Sequence, residues 1–244
     1  MHNLGRTRSA NRRNHLLLTP DTFVRTPLPG MQNGSAIVHV SPAAGAAFTQ
    51  YTAELEPGGT LGPTPAQRFV YVVSGAADLA TDATFHSLAL CDYAYIPAGL
   101  SHTITGQGAA RLAVIEKMYQ PLDKIAAPSL LVGSEAKIMS TALMGDIDLQ
   151  VRGLLPDQPG FDFAVNTMTY MPGASLSMVE VHIMEHGLLM LEGGGIYRLG
   201  DDWYQVTAGD FIWMAPFCPQ WFGAIGKQPA KYLIYKDWNR HPLG

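Results

Sequence analysis

An internal repeat constrains the fold of this chain more than any other feature. Four blocks of the first half recur in the same order in the second half, and the paired blocks begin at Phe48 and Phe163, Val70 and Leu188, Cys91 and Gly209, and Ala110 and Ala230. The offset is 115 residues in the first block and 118 where Gly75 matches Gly193. Four matches in one order, with small shifts, predict a duplicated unit of roughly 100 residues.

Each repeat consists of short apolar runs separated by Gly, Pro and Asp turns. Evenly spaced short strands with turn signals are typical of a β-sandwich or β-barrel, and long helical periodicity is absent. The runs that read most clearly as strands are 69–73, 93–96, 112–115, 188–191, 211–214 and 232–235. The fold class is therefore predicted as all-β, with two tandem barrels.

The repeat also predicts the domain organisation. Residues 1–30 are predicted to form an N-terminal arm, 31–120 an N-terminal barrel domain, 121–145 a linker, and 146–244 a C-terminal barrel domain. The linker is assigned from its breakers Pro121, Pro128, Gly133 and Gly145. Within it, 133–135 is interpreted as a loop.

Composition and charge exclude several classes of function. Hydrophobic residues make up 47% and charged residues 15%, which is typical of a compact globular protein. The net charge of -4 gives no broad basic surface, so nucleic acid is not an expected partner. The sequence contains no run of 18 apolar residues, so no membrane helix is predicted. The apolar run within residues 14–18 is too short for a secretory signal. A cytoplasmic enzyme is the simplest interpretation.

The N-terminal arm and the two cysteines carry weaker signals. Arg6, Arg8, Arg12 and Arg13 form a basic cluster, interpreted as a solvated tail, with docking on a neighbouring subunit as the alternative. Cys91 lies in the first repeat and Cys218 in the second. Two cysteines do not suggest a disulfide framework, so both are predicted to be buried free thiols.

Candidate metal ligands are concentrated in the second repeat. Glu180 and His182 are two residues apart, so on a strand they share a face, and His186 follows at the start of the next predicted strand. Gln220 comes 34 residues after His186. Two imidazoles, a carboxylate and an amide oxygen suit a divalent ion such as Mn, Fe or Zn. Cys218 is two residues from Gln220, but its side chain is predicted to pack in the core and not to bind the metal. Ordinary surface polarity is the competing interpretation, but such side chains are costly among apolar neighbours (Val179, Val181, Ile183 and Leu188) unless bonded or metal-bound.

The first repeat lacks this ligand set. The positions of Glu180, His182 and His186 correspond to Gly62, Thr64 and Arg68, and His102 alone remains, opposite Gln220. One histidine beside an arginine does not hold a transition metal well. The first domain is therefore predicted to be metal-free.

These motifs resemble those of the cupin superfamily. The first repeat keeps the second cupin motif through Pro97, Gly99 and His102, whereas the second repeat keeps the spacing of the first motif with its ligands permuted. The permuted ligands, with the closing segment YKDWNRHP from Tyr235 to Pro242, resemble the (S)-ureidoglycine aminohydrolase family. These proteins are bicupins of purine catabolism that act in allantoin degradation.

The resemblance implies a site and a reaction. It implies two double-stranded β-helix (jelly-roll) barrels, and a Mn²⁺ ion, replaceable by other divalent metals, at Glu180, His182, His186 and Gln220. It implies substrate contacts at Tyr197, Tyr232 and Lys236. Lys236 and Glu180 are the predicted catalytic residues. The reaction would release ammonia from the small molecule ureidoglycine, either through a metal-bound water or through an imine-like species.

Two other classes of function stay open at this stage. A cupin dioxygenase or isomerase of a small organic acid would consume oxygen or yield an isomerised product. In a non-catalytic bicupin binding protein, Glu180→Ala would leave the metal content and any activity unchanged. In every case the exposed sheet edges of cupin barrels favour a homo-oligomer.

Overall fold

The computed structural model describes residues 5–240, so His2, His241 and Pro242 lie outside the described residues. The first ten strands are β1 Ala10–Asn11, β2 His15–Leu18, β3 Met31–Val40, β4 Thr49–Leu61, β5 Gln67–Ser74, β6 Ala77–Thr81, β7 Phe85–Leu88, β8 Asp92–Ile96, β9 His102–Gly106 and β10 Ala110–Lys117. The remaining strands are β11 Leu131–Ser134, β12 Thr141–Leu143, β13 Asp146–Gly153, β14 Phe163–Tyr170, β15 His186–Glu192, β16 Gly194–Leu199, β17 Asp202–Thr207, β18 Phe211–Met214, β19 Gln220–Ala224 and β20 Ala230–Asp237.

The predicted all-β class is confirmed. All six apolar runs fall inside observed strands, and the helices of the described residues are three 3₁₀ turns at Pro20–Thr22, Pro42–Ala44 and Glu135–Lys137. Within this part of the chain, no helix has the length and apolar character to span a membrane.

The described residues form two compact units. The C-terminal unit comprises the residues up to Phe23, Met139–Gly153 and Phe163–Trp238. The N-terminal unit comprises Val24–Ile138, Leu154–Asp162 and the residues from Asn239 on. The division predicted from the sequence, at 30/31, 120/121 and 145/146, stays a prediction.

In the C-terminal unit, two sheets enclose one apolar core. The larger sheet has the strand order β1-β2-β18-β15-β20-β14-β13-β12, and the smaller has β17-β16-β19. Alternate residues of facing strands meet between them, including Leu188 and Ile234 from the larger sheet and Tyr197 and Phe222 from the smaller. This inward face leads to the end of the barrel where β15 and β19 begin.

The N-terminal unit repeats the arrangement with its own core. Its sheet has the order β11-β8-β5-β10-β4-β9-β6-β7, with β3 paired to β4. Tyr51, Val70, Leu112 and Val114 are among the wholly buried residues inside it. Both units therefore place corresponding strands around corresponding interiors.

The matched glycines of the repeat have a steric explanation. Gly75 and Gly193 have φ of 73° and 62°, in the left-handed region that side chains disfavour. A Cβ at Gly75 would lie 2.3 Å from the Ala109 carbonyl oxygen, and one at Gly193 would lie 2.3 Å from that of Pro229. Both turns therefore require glycine for the same reason.

The N-terminal arm docks on the C-terminal unit. β2 pairs antiparallel with β18, and Leu17 enters the core. The Arg8 guanidinium binds both carboxylate oxygens of the fully buried Asp210 at 2.7 and 2.9 Å, and Arg12 lies 3.1 Å from Asp202. The prediction of a solvated tail is wrong for Arg8, because buried Asp210 requires a cationic partner from a distant segment, whereas Arg12 pairs with Asp202 and stays 53% exposed.

Replacing Arg8 with Ala is expected to lower stability by about 2 kcal/mol, since it removes a bidentate charge-assisted contact from a buried carboxylate. Arg12→Ala is the matched control, because its ion pair is exposed and should contribute less than about 1 kcal/mol. Thermal unfolding of the two variants measures the difference. Equal melting temperatures would contradict this role of the arm.

Two smaller predictions require correction. Residues 133–135 are not a loop: Gly133 and Ser134 end β11, which pairs with β8, and a 3₁₀ turn begins at Glu135. Pairing with β8 supplies the backbone hydrogen bonds that a glycine signal alone does not reveal. Both cysteines are free thiols as predicted, but only Cys218 is buried, and Cys91 is partly exposed in a left-handed turn.

Candidate metal centre

The candidate site lies at the end of the C-terminal barrel, where an irregular segment crosses the start of β19. Glu180 and Gln220 form an isolated antiparallel bridge, with N–O distances of 2.8 and 2.9 Å. The Phe217 amide donates to the His182 carbonyl oxygen at 2.7 Å. These backbone bonds hold the irregular segment against the barrel.

The prediction of a strand through Glu180 and His182 is wrong, although the two side chains do lie on the same side as that strand implied. A single bridge replaces the strand, and Val179, Val181 and Ile183 are exposed instead of surrounded by core. The extended backbone still alternates, so Glu180 and His182 lie on the same side, with Oε2 and Nε2 3.9 Å apart. The apolar residues take the outward side because the polar pair takes the inward one.

His186 opens β15, as predicted, and faces the barrel interior. Its Nδ1 lies 3.2 Å from the Tyr235 carbonyl oxygen. Burial, with smaller effects from His182 and Lys236, lowers the pKa of the His186 imidazole to about 3. The ring is therefore neutral near pH 7, and we assign its proton to Nδ1 because only an N–H can bond a carbonyl. The lone pair of Nε2 then points into the site.

His182 is the meeting point of the four candidate ligands. Its Nε2 lies 3.3 Å from His186 Nε2 and 3.0 Å from the Gln220 side-chain nitrogen. Its Nδ1 is buried and has no hydrogen-bond partner within residues 5–240. His186 is therefore oriented by a backbone carbonyl, whereas His182 is oriented only by its neighbours in the site.

Tyr197 orients the amide of Gln220. The wholly buried Tyr197 hydroxyl lies 3.1 Å from Gln220 Oε1, and burial raises the pKa of Tyr197 well above its usual value. A hydroxyl both donates and accepts, so it also supports the opposite amide orientation, in which Nε2 donates to it. In that orientation the amide oxygen faces the two imidazoles.

The donor set fits a divalent metal. Two neutral imidazoles, a carboxylate and a carboxamide suit borderline or hard divalent ions. Among the described residues, no group of three or more His, Cys, Asp or Glu side chains is already arranged to hold a metal ion. The four donors instead meet pairwise around His182, and the Glu180 and His182 side chains remain 25% and 26% exposed. An ion held there would therefore keep positions open to a small molecule.

The remaining predicted residues lie at different depths. Lys236 lies on β20, directly opposite His186 of β15, and shares the inward face with Ile234 and Tyr232. Its Nζ lies 4.2 Å from the centre of the Trp238 ring. Tyr232 is almost fully buried, and its hydroxyl lies 2.7 Å from that of Tyr170. Lys236 thus lies beside His186 on the barrel wall, whereas Tyr232 packs deeper in the barrel.

The equivalent place in the N-terminal unit contains an arginine. The buried Arg68 guanidinium lies 2.7 Å from His102 Nε2, 2.7 Å from the Gly62 carbonyl oxygen and 2.7 Å from Glu116 Oε1. Tyr51 also donates to Glu116, at 2.8 Å. A fixed organic cation thus takes up the lone pair that His102 would offer to a metal.

Comparison with known proteins identifies the family. A sequence model of the cupin domain matches residues 166–235. An (S)-ureidoglycine aminohydrolase of Arabidopsis thaliana is 42% identical over 242 residues, which cover 98% of this chain and 80% of that protein. The chain belongs to the (S)-ureidoglycine aminohydrolase family.

Two further relatives agree with this assignment. The (S)-ureidoglycine aminohydrolase of Escherichia coli K12 is 31% identical over 93% of this chain and 89% of its own length. A solved structure from Pseudomonas aeruginosa, described as a glyoxylate-induced protein, superposes with a TM-score of 0.89 at 31% identity, over 99% of this chain and 94% of that one. The aminohydrolase family relationship and the two-cupin fold thus extend over nearly the whole chain.

The sequence missed three contributors to this site. Tyr170 and Trp238 contact predicted residues, and the backbone of Tyr235 fixes the His186 tautomer. The period-two alternation of β14 places Tyr170 on the inward face and was available from the sequence. A backbone carbonyl leaves no sequence signal.

Proposed function

We propose that this chain is a hydrolase that releases ammonia from (S)-ureidoglycine and yields (S)-ureidoglycolate in allantoin degradation, with Mn²⁺ held by Glu180, His182, His186 and Gln220. The family relationship over 98% of the chain supports the reaction. One observation carries the site: four candidate donors converge on His182 at an open barrel end. A bound divalent ion would supply positive charge that holds the substrate and stabilises developing negative charge.

The reaction exchanges one bond at the substrate's central carbon. The bond to the amine nitrogen breaks, a bond to the oxygen of water forms, and the amine leaves as ammonia with a proton from that water. Glu180 has one oxygen directed at His182, so its other oxygen is available to accept a proton.

Lys236 is assigned to the substrate carboxylate. Its ammonium group extends from the inward face of β20 beside His186 and can pair with a carboxylate through a charge-assisted hydrogen bond. Tyr197 and Tyr232 complete the wall beneath the substrate. Tyr197 acts by orienting Gln220, and Tyr232 acts through its bond to Tyr170.

An ammonia-release assay tests the function. Purified protein loaded with Mn²⁺ is expected to release ammonia from freshly generated ureidoglycine faster than the spontaneous reaction, without oxygen uptake. Ammonia release at the spontaneous rate with Mn²⁺, Fe²⁺ and Zn²⁺ alike would refute the proposal. Oxygen uptake would favour the dioxygenase alternative.

Tyr197→Phe is expected to weaken metal binding by roughly 10- to 100-fold, because the hydroxyl orients a ligand amide. The fold should persist, since the ring remains packed in the core. Tyr170→Phe is the matched control: it also removes one buried hydroxyl, but one that contacts Tyr232 instead of a ligand. Competition with a metal-binding dye measures both affinities, and equal affinities would contradict the orienting role of Tyr197.

Assembly and location are also part of the proposal. An edge strand, β12, with exposed Met139, Met144 and Ile147 around it, supports a homo-oligomer. The free thiols of Cys91 and Cys218 are consistent with the cytoplasm.

A further inference from the structure

Asn166 lies on the wall of the C-terminal barrel, on β14. Along β14, Val165 and Thr167 are buried on one face, whereas Met168 and Tyr170 belong to the barrel core. Side chains alternate along a strand, so Asn166 shares the inward face with Met168 and Tyr170. It is only partly buried, as is Ala164 on the same face opposite Lys236, whereas Met168 and Tyr170 further along the strand are buried, which indicates that Asn166 lies towards the open end.

Strand register places Asn166 beside the candidate site. It is opposite Ile234 on β20, two residues from Lys236, and Lys236 is in turn opposite His186. The diagonal neighbour two residues along an adjacent strand is within reach of a polar side chain. Asn166 and Lys236 therefore line the same part of the barrel wall.

The internal repeat gives independent support. Tyr51 is the equivalent of Asn166 at the offset of 115, and it is opposite Val114 as Asn166 is opposite Ile234. The Tyr51 hydroxyl donates to Glu116, the equivalent of Lys236, at 2.8 Å. A side chain at this position thus reaches the ligand end of its barrel. Asparagine is shorter than tyrosine and leaves space there for a small molecule.

The chemistry of Asn166 complements one part of the proposed substrate. No hydrogen bond joins its carboxamide to another group within residues 5–240. A ureido group presents a carbonyl acceptor and N–H donors in one plane, and a carboxamide can pair with both. An ammonium group such as that of Lys236 only donates and a carboxylate such as that of Glu180 only accepts, so neither makes such a pair. We propose that Asn166 binds the ureido group and determines specificity for it, an inference that rests on the proposed function.

Ligand binding to the Mn²⁺-loaded protein tests this role. The probes are ureidoacetate, which keeps the ureido group and carboxylate but lacks the amine, and glycolate, which lacks the ureido group. Asn166→Ala is expected to weaken ureidoacetate binding about tenfold in calorimetry and to leave glycolate binding unchanged. Asn166→Asp keeps the shape but loses the donor, and should also weaken ureidoacetate binding.

Controls separate this role from damage to the site. Metal content and melting temperature should match those of the unaltered protein, and Thr169→Ala, on the other face of β14, should change neither affinity. Unchanged ureidoacetate binding in Asn166→Ala, or an equal loss of glycolate binding, would overturn the role of Asn166. The proposed function would still stand in that case if the unaltered protein releases ammonia from ureidoglycine. If the unaltered protein neither binds ureidoacetate nor releases ammonia, the function fails as well.

Discussion

His182→Ala is expected to reduce ammonia release by roughly three orders of magnitude or to the spontaneous rate. His182 Nε2 is the atom around which the other candidate ligands gather, at 3.0 to 3.9 Å. A catalytic cation contributes several kcal/mol of charge stabilisation, and each 1.36 kcal/mol is a factor of ten in rate. Steady-state ammonia release, measured with metal in excess, gives the loss.

His86→Ala is the control for this variant. His86 lies on β7 of the N-terminal unit, whereas the four candidate ligands belong to the C-terminal unit, and its replacement should leave ammonia release unchanged. A His182→Ala protein that keeps more than about a tenth of the activity would show that the reaction does not depend on this ligand set.

Asp162→Asn is expected to give the largest loss of stability, about 3–5 kcal/mol. The fully buried Asp162 carboxylate accepts from Lys117 Nζ at 2.8 Å, from Gln67 at 2.6 Å and from the Gln120 amide at 2.9 Å. The amide keeps the shape but not the charge, and leaves the Lys117 ammonium buried without its counter-ion. Thermal unfolding should show a fall of roughly 6–20 °C.

The double variant Lys117→Met with Asp162→Asn should recover part of this stability, because no buried charge then lacks a partner. Asp123→Asn is the matched control, since the Asp123–Lys124 pair is 89% exposed on both sides and contributes little. If the single and double variants melt at the same temperature, the unpaired lysine is not the cause of the loss.

Features set by local chemistry could be predicted from the sequence. The repeat, the strand runs and the matched Gly75 and Gly193 follow from alternation and from backbone conformations that only glycine adopts readily. His186 was placed correctly, at the start of a strand, because a strand fixes the direction of each side chain. Local pattern thus predicted the barrels, and the position and orientation of one candidate ligand.

Features set by distant contacts could not be predicted in the same way. The bridge between Glu180 and Gln220 joins residues 40 positions apart, and the strand inferred from Val179, Val181 and Ile183 does not form. The docking of Arg8 depends on buried Asp210, 202 residues away. Arg68 was correctly aligned with His186, but its contacts with His102 and Glu116 became visible only in the folded unit.

Metal counting on the purified chain tests the central claim most directly. Mass spectrometry of protein saturated with Mn²⁺ and then desalted should find one ion per chain, and His186→Ala should lose it while Arg68→Ala keeps it. Two ions per chain, or one ion retained after His186→Ala, would contradict a single centre in the C-terminal barrel.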